Sequence, residues 1–169
     1  MIRKLLINIS IILCVTAIYS CNNTDDIQAI FTEKTWKLTS ISHKNGERSK
    51  DYWMNSQGEF DEEAFKKSME LSVTIDFSGK SEQDIIQGDF HSDAAGVPIH
   101  GNWKADASSR TFNTWSIKGG SPTDIYTKAF LDALKNSFRY QGDEYNLYIY
   151  FKEGQQEKML MLKPLNREK

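Results

Sequence analysis

The chain has 169 residues, with 21 Lys and Arg against 23 Asp and Glu, a net charge of −2 and 12% aromatic side chains. So mild a charge balance, with the basic residues dispersed, excludes the basic stripe of a nucleic-acid binder. The ten Gly and three Pro show no period, which excludes a repeat or low-complexity architecture.

The first element is a leader. Arg3 and Lys4 precede an almost unbroken apolar run from Leu5 to Ile18. That run has the size of a signal-peptide core and falls short of the roughly 20 apolar residues of a membrane-spanning helix. It ends in Ile18-Tyr19-Ser20-Cys21, which resembles the lipobox of signal peptidase II substrates, with an aliphatic residue, a small residue and then Cys. The reading is a signal peptide over 1–20 and a lipidated tether over 21–34, with Cys21 as the acylated residue. Cys14 leaves with the leader, so the mature chain can form no internal disulfide and must be held by its core. Asp25-Asp26 resembles the acidic surface-export signal of lipoproteins from Bacteroidetes-type Gram-negative bacteria. The expected location is therefore the outer membrane, with the cell surface favoured over the periplasmic face.

One domain is expected over 35–163, followed by a tail over 164–169. Residues 22–30 read as tether, with a helical turn at Ile27–Phe31. Thr35–Ile41 is rich in β-formers and predicts a strand; Asn45-Gly46 predicts a turn. Residues 47–60 read as loop or short strand. Asp61–Met69 predicts a short helix capped by Asp61, with acids first and lysines last. Leu71, Val73, Ile75 and Phe77 alternate with polar residues and predict a strand, turned back at Ser78-Gly79-Lys80. A return strand over 81–90, bulged at Gly88, follows. Residues 101–106 and 110–118 predict a hairpin. Phe112 and Trp115 differ in parity there, so a bulge or a two-sided burial is needed.

The main helix is expected over about 121–138, with Ser121 as cap and Pro122 in the first turn. Ile125, Ala129 and Ala133, with Tyr126, Phe130 and Leu134, form its apolar stripe. Gln141-Gly142-Asp143 turns the chain into a strand over 145–151. Glu153-Gly154 turns it again into a last strand through Met159–Leu162. The fold class is α+β, mainly β: an antiparallel sheet or small barrel with one long helix packed on it.

Short motifs occur in a suggestive order: Trp36-x-Leu38, Phe77-Ser78-Gly79, Gly88-Asp89-Phe90, Gly101-Asn102-Trp103, Phe130-Leu131-x-x-Leu134, Tyr140-x-Gly142-Asp143 and Asn146-Leu147-Tyr148. This order resembles the META-domain family of bacterial envelope lipoproteins, with a lipocalin-like calycin barrel as the second resemblance. The cysteine-containing stretches of the META family are absent, so no role tied to them carries over. Neither family implies a defined reaction.

His91-Ser92-Asp93 with His100 could supply nitrogen and oxygen ligands to zinc, and through it a metal-dependent hydrolase, but the spacing matches no metal motif. No Gly-x-Ser-x-Gly elbow and no phosphate loop occur. The expectation is a non-enzyme with no cofactor and no bound metal. Trp36, Trp103, Trp115, Tyr148 and Tyr150 fall on strands and are the candidate binding surface. The expected partners are the membrane, through the N-terminal lipid, and an unknown small ligand or envelope protein, with no nucleic acid. The alternative is a calycin-type carrier of a small apolar ligand, which requires an open interior.

Overall fold

The computed structural model describes residues 23–165. The leader, Cys21 and residues 166–169 lie outside them. The elements are helix α1 (Asn23–Phe31), β1 (Thr35–His43), a 3-10 turn (Asp51–Trp53), α2 (Glu62–Met69), β2 (Val73–Glu82), β3 (Ile85–Ala94), β4 (Val97–Asp106), β5 (Thr111–Gly119), α3 (Ile125–Lys135), β6 (Ser137–Gly142), β7 (Leu147–Glu153) and β8 (Gln156–Pro164).

Eight antiparallel strands, each paired with its sequence neighbour, close into a barrel when β8 returns to β1. Closure removes the exposed edges that an open sheet would present. Side chains alternate between lumen and solvent. Val73, Ile75 and Phe77 are buried while Asp76 and Ser78 between and beyond them are exposed.

Each end of the barrel is covered. At one end α1 is folded against the strands, where the sequence reads as a tether ending in a helical turn at Ile27–Phe31. Its Ile27, Ile30 and Phe31 are buried, and this apolar spacing of three and four residues is what holds a nine-residue helix in place. Phe31 meets Phe77 of β2, Trp103 of β4, Phe112 of β5 and Tyr140 of β6, at centroid distances of 5.4, 4.8, 5.5 and 5.0 Å. A residue that touches four different strands lies in the lumen.

At the other end lie α3 and the long connection between β1 and β2. Trp53 packs against Phe65 of α2 and Tyr126 of α3. Its indole N–H donates to the Ser68 hydroxyl at 3.0 Å, and that hydroxyl donates to the Asp124 carboxylate at 3.4 Å. Helix α3 starts at Ile125, three residues later than Pro122 implies, because Asp124 is the cap: its carboxylate accepts the N–H groups of Tyr126 and Thr127. The helix also ends early, at Lys135, since Ser137–Gly142 is drawn into strand β6 by pairing with β7. Between β5 and β6 the ladder is a single partner pair, Thr111 with Arg139. There α3 helps to join the wall: the Thr114 hydroxyl donates to the Leu134 carbonyl at 2.6 Å.

Two turns differ from expectation. The β2–β3 hairpin turns at residues 83–84, not at Ser78–Lys80, and Gly88 carries no bulge. Gly79 and Gly88 face each other across the hairpin, where a Cβ on Gly88 would sit 2.1 Å from the Ser78 carbonyl oxygen. They are glycines because the two backbones approach closely, not because the chain turns. The β3–β4 hairpin, through Ala95 and Gly96 at φ 56° and 84°, has no Asn-Gly signature to announce its left-handed turn.

Candidate functional site

Trp36 and Trp103 are fully buried, which removes them from any surface. Trp36 points into the lumen from the first rung of β1. The Trp103 indole N–H donates to the carbonyls of Ser78 and Asp89 at 3.0 and 3.1 Å, bridging the strands that flank the glycine pair. Tyr150 lies outside the lumen but is covered: the Arg139 guanidinium stacks 3.8 Å from its ring centre, and its hydroxyl donates to Gln141 at 3.1 Å. Tyr148 is half-buried on the same wall. The five aromatics therefore form no single face.

Trp115 is the one of the five that stands in solvent, at 45% exposure. The β4–β5 register shifts between His100 and Asn102, and Ser116 adopts φ 52°. Trp115 points outward beside Asn102 by plain alternation from the inward Phe112, and the bulge follows it at Ser116 and Ile117.

Around Trp115 the outer wall is polar and ordered. One rung carries Ser78, Asp89, Asn102 and Trp115; the next carries Asp76, His91, His100 and Lys118. The Asn102 amide donates to the Asp89 carboxylate at 2.7 Å. The imidazoles of His91 and His100, directly opposed, lie 6.3 Å apart and 26° from parallel. A hollow of about 260 Å³ opens here, lined by Asp89, His91, His100, Asn102, Ser116 and Lys118 among others.

This geometry does not assemble a zinc site from His91, Ser92, Asp93 and His100. Ser92 points to the opposite side of β3, where it is buried and donates to the Thr74 carbonyl at 2.6 Å. Among the described residues no group of three or more His, Cys, Asp or Glu is placed to hold a metal ion.

A second cluster closes the α3 end of the lumen. Lys158 shares the inward parity of Leu160 and Leu162 and is 1% exposed. Its Nζ donates to the Asp51 carboxylate at 2.7 Å and the Glu153 carboxylate at 2.5 Å, and lies 4.6 Å from the centre of the Tyr52 ring. The hydrogen bond from Lys158 is the main cause that lowers the Asp51 carboxyl below its ordinary range. Burial, aided by Glu153, raises the Tyr52 phenol well above its usual range. Lys158 thus fastens the β1–β2 connection onto β8. The signal in the sequence was the parity of Lys158 with Leu160 and Leu162, which a charged residue at a strand end conceals.

A family model described as a domain of unknown function, DUF4847, matches residues 22–164. The chain belongs to the DUF4847 family. A crystal structure of a DUF4847 family protein from Bacteroides vulgatus superposes with a TM-score of 0.60 at 23% identity, covering 85% of this chain and 99% of that one. At that identity the likeness shows a shared DUF4847 fold. No curated protein matches. The META-domain resemblance has no counterpart in these matches, whereas an eight-stranded barrel fits the calycin-like one.

Proposed function

We propose that this DUF4847 protein is a lipid-anchored, non-catalytic protein of the outer membrane, held through Cys21, that binds a polar ligand or an envelope partner on the outer wall of its barrel. The observation that carries this reading is the occupied lumen. Phe31 and the inward aromatics of β2, β4, β5 and β6 take the space in which a barrel carrier would hold its cargo. The outer wall around Trp115 offers instead a flat indole beside oriented amide, carboxylate and imidazole groups. That combination suits a ligand with one apolar face and several hydroxyls, as in a sugar. Near Lys158 the charges are already engaged with one another, which favours a structural role over proton transfer.

The carrier reading remains the second choice because the barrel is of the right kind, but it requires α1 to withdraw. Two experiments decide. Growth with labelled palmitate should mark the wild type and not Cys21→Ala; label on the variant overturns the anchor. Titration of hexose oligosaccharides should change the tryptophan fluorescence of the wild type and not of Trp115→Ala. Uptake of 1-anilinonaphthalene-8-sulfonate by the intact native barrel, with no response to sugars, would instead favour the carrier.

A further inference from the structure

The lumen-bound α1 has a geometric consequence for an anchored protein. We propose that the α1 end of the barrel rests on the lipid surface that holds the Cys21 acyl chains, with Tyr145 and Leu165 entering the headgroup layer and Lys34, Lys37 and Lys163 facing the lipid phosphates. This rests on the reading of Cys21 as lipidated.

The first argument is reach. Only Asn22 separates Cys21 from α1, and α1 is locked at Phe31. A helix rises about 1.5 Å per residue and an extended residue spans at most about 3.6 Å, so Cys21 lies within roughly 20 Å of Phe31. A domain of this length has a radius of gyration of about 15 Å. The anchor therefore cannot hold the barrel off by even one domain diameter, and Phe31 belongs to the α1 end.

The second argument is what that rim presents. Tyr145, on the β6–β7 turn, is 73% exposed, and Leu165, just past β8, is 41% exposed. Both sit at the root of α1: Lys34 Nζ donates to the Glu144 carbonyl at 3.2 Å, and the Leu165 N–H donates to the Thr35 carbonyl at 2.8 Å. Tyrosine is favoured at the membrane–water interface because its ring is apolar and its hydroxyl polar.

The third is charge. Lys37 and Lys163 are exposed and directly opposed on adjacent strands, an arrangement that repels in water. Neither forms an ion pair among the described residues, and anionic headgroups would relieve the repulsion. Glu33, Asp143 and Glu144 share this rim and offset part of its positive charge; the Asp143 carboxylate accepts the N–H groups of Tyr145 and Asn146, both at 2.8 Å, which keeps it ionised near Lys34. In this orientation the Trp115 wall stands upright from the membrane, and the Lys158 end faces away from it.

The test uses the mature, leader-free protein recovered from membranes and placed in phosphatidylethanolamine–phosphatidylglycerol vesicles carrying nitroxide headgroups. An environment-sensitive fluorophore is attached at Glu144→Cys on the α1 rim or at Gln155→Cys on the β7–β8 turn of the opposite end. Acylated Cys21 has no free thiol, so each label is single. The Glu144→Cys label should lose its fluorescence and the Gln155→Cys label should keep it. Adding Tyr145→Asp and Leu165→Asp should reduce the loss at Glu144→Cys. Equal quenching at the two ends, or stronger quenching at Gln155→Cys, overturns the orientation. Intact mass separates the two claims: a chain without acyl mass overturns the anchor, and an acylated chain with an unquenched Glu144→Cys label overturns the orientation alone.

Discussion

Phe31, the last residue of α1, stacks on Phe112 of β5 with ring centroids 5.5 Å apart and planes 8° from parallel. The contact joins a segment that reads as tether to the lumen at the α1 end of the barrel, and it decides whether the lumen is a store or a core.

Phe31→Ala should therefore cost about 3–5 kcal/mol, the usual range for a fully buried aromatic. Urea unfolding followed by tryptophan fluorescence measures it. The variant should also acquire affinity for a small apolar probe such as benzene, because an apolar void of that origin stays dry and open. A loss under 1 kcal/mol would mean that α1 is not seated in the lumen.

Gly88→Ala places a methyl group against the Ser78 carbonyl oxygen. The backbones of β2 and β3 must part, and the Trp103 hydrogen bonds to Ser78 and Asp89 lengthen with them. The expected loss is on the order of 3 kcal/mol, with a red-shifted Trp103 emission. Gly46→Ala, with open space around it, should cost much less; its φ of 91° leaves only backbone strain.

Lys158 predicts an asymmetry. Asp51→Asn with Glu153→Gln leaves a buried cation unpaired and should destabilise by about 3–5 kcal/mol. Lys158→Met removes the charge and keeps the volume, while the two carboxylates, about half exposed, return to water; its cost should be small. Thermal unfolding of the three chains in parallel tests the ordering.

Acid should loosen the same end. The Asp51 carboxyl titrates below its ordinary 3.8 when folded. A depressed folded pKa contributes stability above the unfolded value and loses it as pH falls through the folded one. Near-ultraviolet circular dichroism of Tyr52 and Trp53 should thus weaken below about pH 4, and Asp51→Asn should remove that part of the transition.

Trp115→Ala should leave stability within about 0.5 kcal/mol, as for an ordinary surface change. It should abolish most iodide quenching, since Trp36, Trp53 and Trp103 are buried. Ser116→Gly should stabilise slightly by relieving the left-handed strain at φ 52°.

Much of the fold was legible because it is written in local period and cap chemistry. Val73, Ile75 and Phe77 alternate; Leu147, Ile149 and Phe151 alternate; Asp61 caps α2 by accepting the Ala64 N–H; Phe112 and Trp115, of opposite parity, face opposite sides of β5. Strand β6 was not legible, because Ser137–Gly142 follows a helix directly and becomes a strand only through its pairing with β7. Of helix α1 only the last part was legible, as a turn at Ile27–Phe31. Asn, Thr and Asp dominate its start, and its three apolar residues have value only when a lumen receives them. For the candidate site, parity alone separated Trp115 from Phe112, yet nothing local could show that Trp36 and Trp103 point inward.

The sequence by itself determined the mainly β class, the order of most elements and the opposite facing of Phe112 and Trp115, because alternation and backbone preference act between near neighbours. Only the tertiary structure decided that the strands close, that Phe31 fills the space they enclose, and that Lys158 is sealed under Tyr52. Each of those depends on residues far apart in the chain excluding water from the same volume, and no local pattern encodes which distant partner will do so.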